Sequence, residues 1–171
     1  MDRQPSVRKF DALDLLTREH DAIKQRFRDY ERLIVRRGNG DRKAEIVGDI
    51  CLLLSIHAQI EDEIFYPAVR CALGWDDVIE HALCEHSGAN ELIAKLDEME
   101  PGDDDYDATV AVLSAYVIMH MDEEQDDMFP KLRVCGMDTA ALGRKMVQRR
   151  RILLDDVSLV GLSQSRSSAS P

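Results

Sequence analysis

The stretch HAQIEDEIFYP at residues 57–67 is the most informative part of the sequence, because its pattern is repeated as HMDEEQDDMFP at residues 120–130. In each copy a glutamate lies four residues after the histidine, and an aromatic residue and a proline lie nine and ten residues after it. A Glu-His pair precedes each copy, at 19–20 and at 85–86. Packing alone does not explain a duplicated set of metal-ligand residue types. The repeat therefore predicts a two-metal site in a helical bundle.

Apolar residues recur at steps of three, four and seven along most of the chain, which is the spacing of amphipathic helices, and no segment alternates as a strand would. Pro67 is expected to kink or end the second helix, and Pro130 to end the fourth. The predicted helices cover about residues 11–37, 41–67, 76–99 and 106–130, with a shorter fifth helix at about 138–155.

The predicted fold is all-α: an antiparallel up-down four-helix bundle with a short C-terminal fifth helix. Short connections between long helices favour antiparallel neighbours. At 171 residues the chain is expected to form one domain, placed at residues 11–155. The Ser-rich tail at residues 163–171 is expected to be disordered.

Composition narrows the classes of function. The formal net charge of −11 argues against an electrostatic nucleic-acid binder, because phosphate contacts need a basic surface. No apolar run approaches a membrane span and the N-terminus lacks the apolar core of a signal peptide, so we expect a cytoplasmic protein. The four cysteines lack CxxC spacing and are expected to be mostly buried, reduced thiols. The basic run at 149–151 is expected to be a solvated surface, and no obligate protein partner is evident.

The HxxxE spacing places an imidazole and a carboxylate on one face of a helix, because residues four apart point the same way. One such pair alone is more often a solvated ion pair than a metal site, and only the matched repetition favours metal. The spacing excludes the Glu-x-x-His pattern of ferritin-like carboxylate bundles and the HExxH of zincins. A set of imidazoles with two carboxylates suits iron or zinc better than magnesium or calcium.

With these motifs the sequence resembles the hemerythrin-like family of histidine/histidine/glutamate cation-binding bundles, over about residues 14–132. The resemblance implies a pair of non-haem irons joined by an oxo or hydroxo bridge. It implies that Glu61 and Glu124 are the two bridging carboxylates. The terminal ligands that it implies are His20, His57, His86 and His120.

The third helix departs from the pattern of oxygen-carrying hemerythrins, which have two histidines four residues apart there. This chain has His81 and His86, five residues apart and about 140° around the helix. The expected second ligand position is Ala82, which cannot bind metal. We therefore expect His86 to be the ligand and His81 to face the edge of the bundle, where it contacts a ligand or solvent.

A candidate for the missing ligand is Tyr116, because it forms one stripe with His120 and Glu124 at steps of four. A tyrosinate there would leave a single coordination position for a small exogenous ligand. The alternative is that Tyr116 is a core aromatic residue whose hydroxyl hydrogen-bonds a carboxylate.

Three classes of function follow from this reading. The first is an enzyme-like di-iron centre that decomposes hydrogen peroxide as a catalase does. The second is a binding module that carries or senses O₂, nitric oxide or iron. The third is a structural bundle with zinc or no metal, which is disfavoured because structural zinc prefers closed tetrahedral sites with cysteine. A sensor usually needs an output domain, and none is recognisable in this sequence, so the peroxide-consuming class is preferred.

Overall fold

The computed structural model describes residues 11–36 and 39–167, and within these ranges all regular secondary structure is helical. Two π-helical turns interrupt the helices: π1, Glu61–Phe65, and π2, Glu124–Met128. The α-helices are α1 Ala12–Val35, α2 Gly40–Ile60, α3 Tyr66–Leu73, α4 Asp76–Asp97, α5 Tyr106–Glu123, α6 Phe129–Val134 and α7 Thr139–Ser167. The all-α prediction is confirmed. The four helical units α1, α2–α3, α4 and α5–α6 form the bundle, and α7 packs against α1 and α2.

The π turns explain why the helical backbone continues past both prolines, whereas Pro130 was expected to end its helix and Pro67 to kink or end its own. A proline lacks the backbone N–H, and its ring clashes with the carbonyl four residues earlier in an α-helix. In both copies the π turn lies directly before the proline, and the N–H of Tyr66 donates to the carbonyl of Glu61, five residues back. The N–H of Phe129 donates in the same way to Glu124. Helices α3 and α6 thus continue the axes of α2 and α5 past Pro67 and Pro130.

Two apolar clusters fill the bundle on either side of a polar layer. On α1, the first cluster includes Leu16 and the second includes Ile23, and buried His20 lies between them. The other three helical units repeat this order, with a buried histidine between the residues of the two clusters. The positions of the polar residues are therefore held from both sides by close-packed side chains.

Helix α7 is longer than the predicted 138–155, and its basic run is not simply solvated. Arg149 binds Glu63 with two hydrogen bonds of 2.6 and 2.9 Å, and Arg150 lies 2.9 Å from Glu19. These ion pairs join α7 to π1 and to α1, which adds to the apolar contacts of Met146. The predicted tail begins at Ser163 inside this helix, and residues 168–171 lie outside the described residues, so its disorder stays a prediction.

Two further predictions concern the surface of the molecule. All four cysteines are free thiols, but only Cys51 is buried, because Cys71 and Cys84 fall on the outward faces of α3 and α4. The expectation of mostly buried thiols was therefore wrong. None of the helices in residues 11–36 and 39–167 is long and apolar enough to cross a lipid bilayer. The cytoplasmic location stays a prediction.

The beginning of α1 offers a test of the fold. Asp11 caps this helix by accepting from the backbone N–H groups of Leu13 and Asp14, and its carboxylate also accepts from the Thr139 hydroxyl at the start of α7. We expect Asp11→Ala to lower the free energy of unfolding by about 1–2 kcal/mol, since a lost N-cap costs that much. Urea unfolding measures the change. Asp21→Ala, at an exposed position within α1, should shift the midpoint much less, and equal shifts would contradict the capping role.

Candidate metal centre

Four imidazoles and two carboxylates meet in the polar layer, and each helical unit of the bundle contributes at least one of them. The histidines form two pairs. The Nε2 atoms of His20 and His57 are 3.1 Å apart, and those of His86 and His120 are also 3.1 Å apart. Two ligands at right angles on one ion, with bonds of about 2.1 Å, would be about 3.0 Å apart. Each pair therefore has the spacing of neighbouring ligands on one cation.

The two carboxylates link the histidine pairs. Glu61 Oε2 lies 3.2 Å from His57 Nε2 and 3.4 Å from His86 Nε2, so it lies between one histidine of each pair. Glu124 Oε2 lies 3.3 Å from the imidazole of α1 and 3.9 Å from that of α5, which again belong to different pairs. This is the arrangement of two adjacent cation positions bridged by two glutamates.

The carboxylates also show that the cluster is built for cations. Both oxygens of Glu61 and the Oε2 of Glu124 accept no hydrogen bond from any described residue, although these side chains are 0% and 2% exposed. A buried carboxylate without partners is costly, and two of them side by side cost more. Positive ions between the histidine pairs would satisfy these oxygens, so the donor set fits two metal ions.

Two glutamates orient one histidine of each pair. Glu19 Oε2 accepts from His57 Nδ1 at 2.9 Å, and Glu85 Oε2 accepts from His120 Nδ1 at 2.8 Å. Because a carboxylate faces Nδ1, the ring proton is held there and the Nε2 lone pair points into the cluster. The Glu-His pairs of the sequence are thus shared between neighbours: the histidine enters the cluster and the preceding glutamate orients the histidine of the next helix.

The other two histidines are oriented by the residue that follows each bridging carboxylate. His86 Nδ1 is 2.7 Å from Asp62 Oδ1, and His20 Nδ1 is 3.0 Å from Gln125 Oε1. All four imidazoles consequently have an acceptor at Nδ1. Glu19 and Glu85 each precede a histidine in the sequence, where most acids are solvated and one or two were expected to orient imidazole N–H groups, whereas the roles of Asp62 and Gln125 were not predicted.

Protonation of the cluster reflects its burial. Burial and the charge of Glu124 raise the pKa of Glu61 well above the ordinary value of a glutamate. Burial would also raise the pKa of Glu124, but the contact with His20 and the charges of the imidazoles outweigh it and lower that pKa to about 2. Burial opposes charge on His86 too, and its hydrogen bond to Asp62, helped by Glu61, raises its pKa to about 10. Metal binding would therefore displace protons from the cluster.

Comparison with known proteins agrees with this donor set. The family model of the hemerythrin HHE cation binding domain matches residues 11–141. The chain belongs to the hemerythrin HHE cation binding domain family. It is therefore a metal-binding domain, and the resemblance inferred from the sequence is confirmed.

Relatives of this HHE domain come from mycobacteria. Uncharacterized proteins of Mycobacterium bovis and Mycobacterium tuberculosis are 28% identical over 144 residues, which cover 81% of this chain and 84% of theirs. The crystal structure of a hemerythrin HHE cation binding domain-containing protein from Mycobacterium kansasii matches with a TM-score of 0.71 at 25% identity. That match covers 84% of this chain and 86% of the other, and it shows the same helical bundle.

The tyrosine at the centre of this HHE domain is Tyr66. Its hydroxyl donates to Glu124 Oε1 at 2.9 Å and lies 3.4 Å from the Nε2 atoms of both His86 and His120. The π turn contributes to this, because its hydrogen bond spans five residues instead of four and the extra residue brings Tyr66 back toward the face that carries Glu61. On a regular α-helix, residues five apart would diverge by about 140°. The repeated aromatic-proline pair was the signal in the sequence that could have identified this residue.

The structure does not bring Tyr116 into the cluster. Its side chain leans toward α4, where a Cβ added to Gly88 would lie 2.7 Å from the hydroxyl oxygen. Burial and the charges of Glu85 and Glu91 raise the pKa of Tyr116, whereas the charges that raise the pKa of Tyr66 are those of Glu61 and Glu124. Six of the seven residues predicted as ligands therefore meet, and Tyr66 stands where Tyr116 was expected.

His81 lies outside the cluster, as the five-residue spacing predicts. Its side chain is 66% exposed, and its Nε2 is 3.3 Å from Glu85 Oε1. His86, one and a half turns later, is 6% exposed and enters the centre. The turn between them carries His81 to the outer edge of α4.

These two histidines provide a matched pair for testing the centre. We expect His86→Ala to remove at least one of two bound metal ions, because one ion loses an imidazole and Asp62 loses its partner. His81→Ala should leave the number of ions held in the buried centre unchanged. Mass spectrometry under native conditions and elemental analysis measure both. If His81→Ala lost metal while His86→Ala retained it, the assignment of the centre to the buried cluster would be wrong.

Proposed function

We propose that this chain holds two irons and decomposes hydrogen peroxide. His20 and His57 would bind one iron, His86 and His120 the other, and Glu61 and Glu124 would bridge them. Imidazole with carboxylate is a mixed donor set that suits iron, and it offers too many ligands for one closed tetrahedral zinc. The observation that carries the proposal is the hydroxyl of Tyr66 within hydrogen-bond distance of Glu124 in the same cluster.

Tyr66 supports a ferric resting state. In the protein alone its phenol is kept neutral, since burial and the charges of Glu61 and Glu124 raise its pKa well above that of free tyrosine. A bound cation reverses this effect, because a nearby positive charge favours the phenolate. A phenolate is a hard anionic donor and stabilises ferric over ferrous iron. Such a centre is poorly suited to reversible O₂ carriage, which requires the ferrous state.

The space beside the cluster limits what can react there. A cavity of about 20 Å³ lies beside the cluster. Its walls include His57, His86 and His120 together with apolar residues such as Leu54 and Val117. A water molecule needs about 10–15 Å³ by the same measure. The cavity therefore admits molecules of a few atoms, such as hydrogen peroxide, O₂ or nitric oxide.

The reaction needs no external reductant. One peroxide takes up two electrons and two protons and becomes two waters, and a second releases two electrons and two protons and becomes O₂. Bound irons would supply the Lewis acidity and the electron storage for this exchange. The imidazoles would be held in place by their hydrogen bonds to Glu19, Glu85, Asp62 and Gln125. Tyr66, beside Glu124, would supply a phenolate for one coordination position at the irons.

The spectrum of the iron-loaded protein tests the role of Tyr66. We expect a visible tyrosinate-to-iron charge-transfer band that is lost in Tyr66→Phe and retained in Tyr116→Phe, because only the first hydroxyl lies in the cluster. Iron content should stay near two per chain in both variants, since the six other donors remain. A band that persisted in Tyr66→Phe and disappeared in Tyr116→Phe would restore the ligand predicted from the sequence.

Peroxide turnover tests the reaction itself. Iron-loaded protein should release one O₂ for every two molecules of hydrogen peroxide, and the metal-free protein should release none. An oxygen electrode measures the yield. Tyr66→Phe should lower the rate, since the ferric state is then less favoured, and Tyr116→Phe should change it less. A stable, reversible O₂ adduct without peroxide turnover would instead support a protein that carries or senses O₂ or nitric oxide.

A further inference from the structure

A second group of metal-ligand side chains lies at the surface next to the buried centre. It consists of His81 and Glu85 on α4 and Glu123 at the end of α5, and one donor atom from each lies within 4.8 Å of the others. His81 and Glu123 are exposed and Glu85 is buried. We propose that these three residues form an uptake site that binds a divalent transition-metal ion and passes it to the buried centre.

The cavity behind this group joins it to the centre. Its volume is about 290 Å³, and its walls include all three residues of the uptake site together with His120 and Glu124. Glu124 is 2% exposed, and its Oε2 accepts no hydrogen bond from any described residue. Glu124 therefore borders both this cavity and the buried cluster, and it is the group toward which a cation bound at the outer end would move.

Glu85 contacts both the uptake site and the buried centre. Its Oε1 lies 3.3 Å from His81 Nε2 at the surface, and its Oε2 accepts from His120 Nδ1 in the centre. One carboxylate therefore separates the two sites. Because Oε2 is occupied by the imidazole N–H, Oε1 is the oxygen available to an ion that arrives from solvent.

The other half of the repeat has no such group. The positions that match His81 and Glu123 are Leu15 and Ile60, both buried and apolar. The glutamate that matches Glu85 is Glu19, and there Arg150 of α7 lies 2.9 Å from Oε1. A guanidinium repels a metal cation and occupies the carboxylate. The repeat thus leaves one side of the centre open to cations and closes the other.

The donors fit a first-row divalent ion such as ferrous iron or Mn²⁺. One imidazole and two carboxylates form a mixed site, and cis donors on such an ion are about 3 Å apart, so the exposed side chains of His81 and Glu123 need only small rotations. Asp127 also lines the cavity, but Lys131 pairs with its carboxylate at 2.6 Å, so the three residues of the uptake site remain the donors. The transit role rests on the proposed two-iron centre, but the binding of an ion at the surface does not.

Binding is tested with Mn²⁺ added to protein whose centre already holds two irons. Electron paramagnetic resonance of free Mn²⁺ should show one additional saturable site per chain. The double variant His81→Asn with Glu123→Gln should weaken it at least about tenfold, since two of three ligands are lost. Glu31→Gln, an exposed glutamate of α1 that does not line this cavity, is the matched control and should leave the affinity unchanged. The absence of a saturable site in the unaltered protein would overturn the proposal.

Transit is tested by the rate at which metal-free protein takes up ferrous iron without oxygen. Iron bound at set times, counted after rapid gel filtration, should accumulate about tenfold more slowly in the double variant and at the normal rate in Glu31→Gln. Both variants should reach the final iron content of the unaltered protein. Equal uptake rates would overturn the transit role. A final content below two irons in the unaltered protein would instead contradict the proposed two-iron centre, so the two failures are distinguishable.

Discussion

Glu61 and Glu124 bury two carboxylates in the middle of the bundle, and the surrounding structure must compensate their negative charge. Two carboxylates in a water-excluded layer are stable only if cations or protons compensate them. The four surrounding imidazoles point their Nε2 atoms toward the same space, and each has an acceptor at its other nitrogen. Apolar clusters above and below exclude water from the layer. Metal ions in the layer would therefore stabilise the bundle.

The internal repeat explains how 171 residues build two adjacent cation positions, and its exceptions explain how the two sides differ. Tyr66 and Phe129 occupy equivalent places after the two π turns, and each ring lies beside the histidine that matches in the repeat. Only Tyr66 has a hydroxyl to offer to the centre. In the part of the chain that the structure describes, α7 packs mainly against α1 and α2, on the half that contains Glu19, where Arg150 lies 2.9 Å from that carboxylate. A symmetric donor set is thus placed in an asymmetric environment.

The π turns connect helix geometry to the chemistry of the site. Each begins at a bridging glutamate and ends just before the aromatic residue and the proline. By adding one residue to a turn, it brings that aromatic residue back to the face of the ligands and also removes the clash that proline would cause. The same distortion therefore positions Tyr66 and allows α3 and α6 to extend the bundle beyond the metal layer, where they contribute Val69 and Leu132 to the core.

The helical class, the internal repeat and the six residues of the buried cluster could be predicted from the sequence, because the spacing of residues four apart on a helix is a property of local geometry. It also separated His81 from His86, since five residues along α4 rotate a side chain away. Only the tertiary structure decided which tyrosine reaches the centre, which acceptor orients each imidazole and where α7 lies. The position of Tyr66 depends on a π turn, which rotates the following residues in a way that α-helical periodicity does not predict. The acceptors of the imidazoles depend on contacts between residues far apart in the sequence, such as Gln125 and His20, whose separation is set by the packing of whole helices.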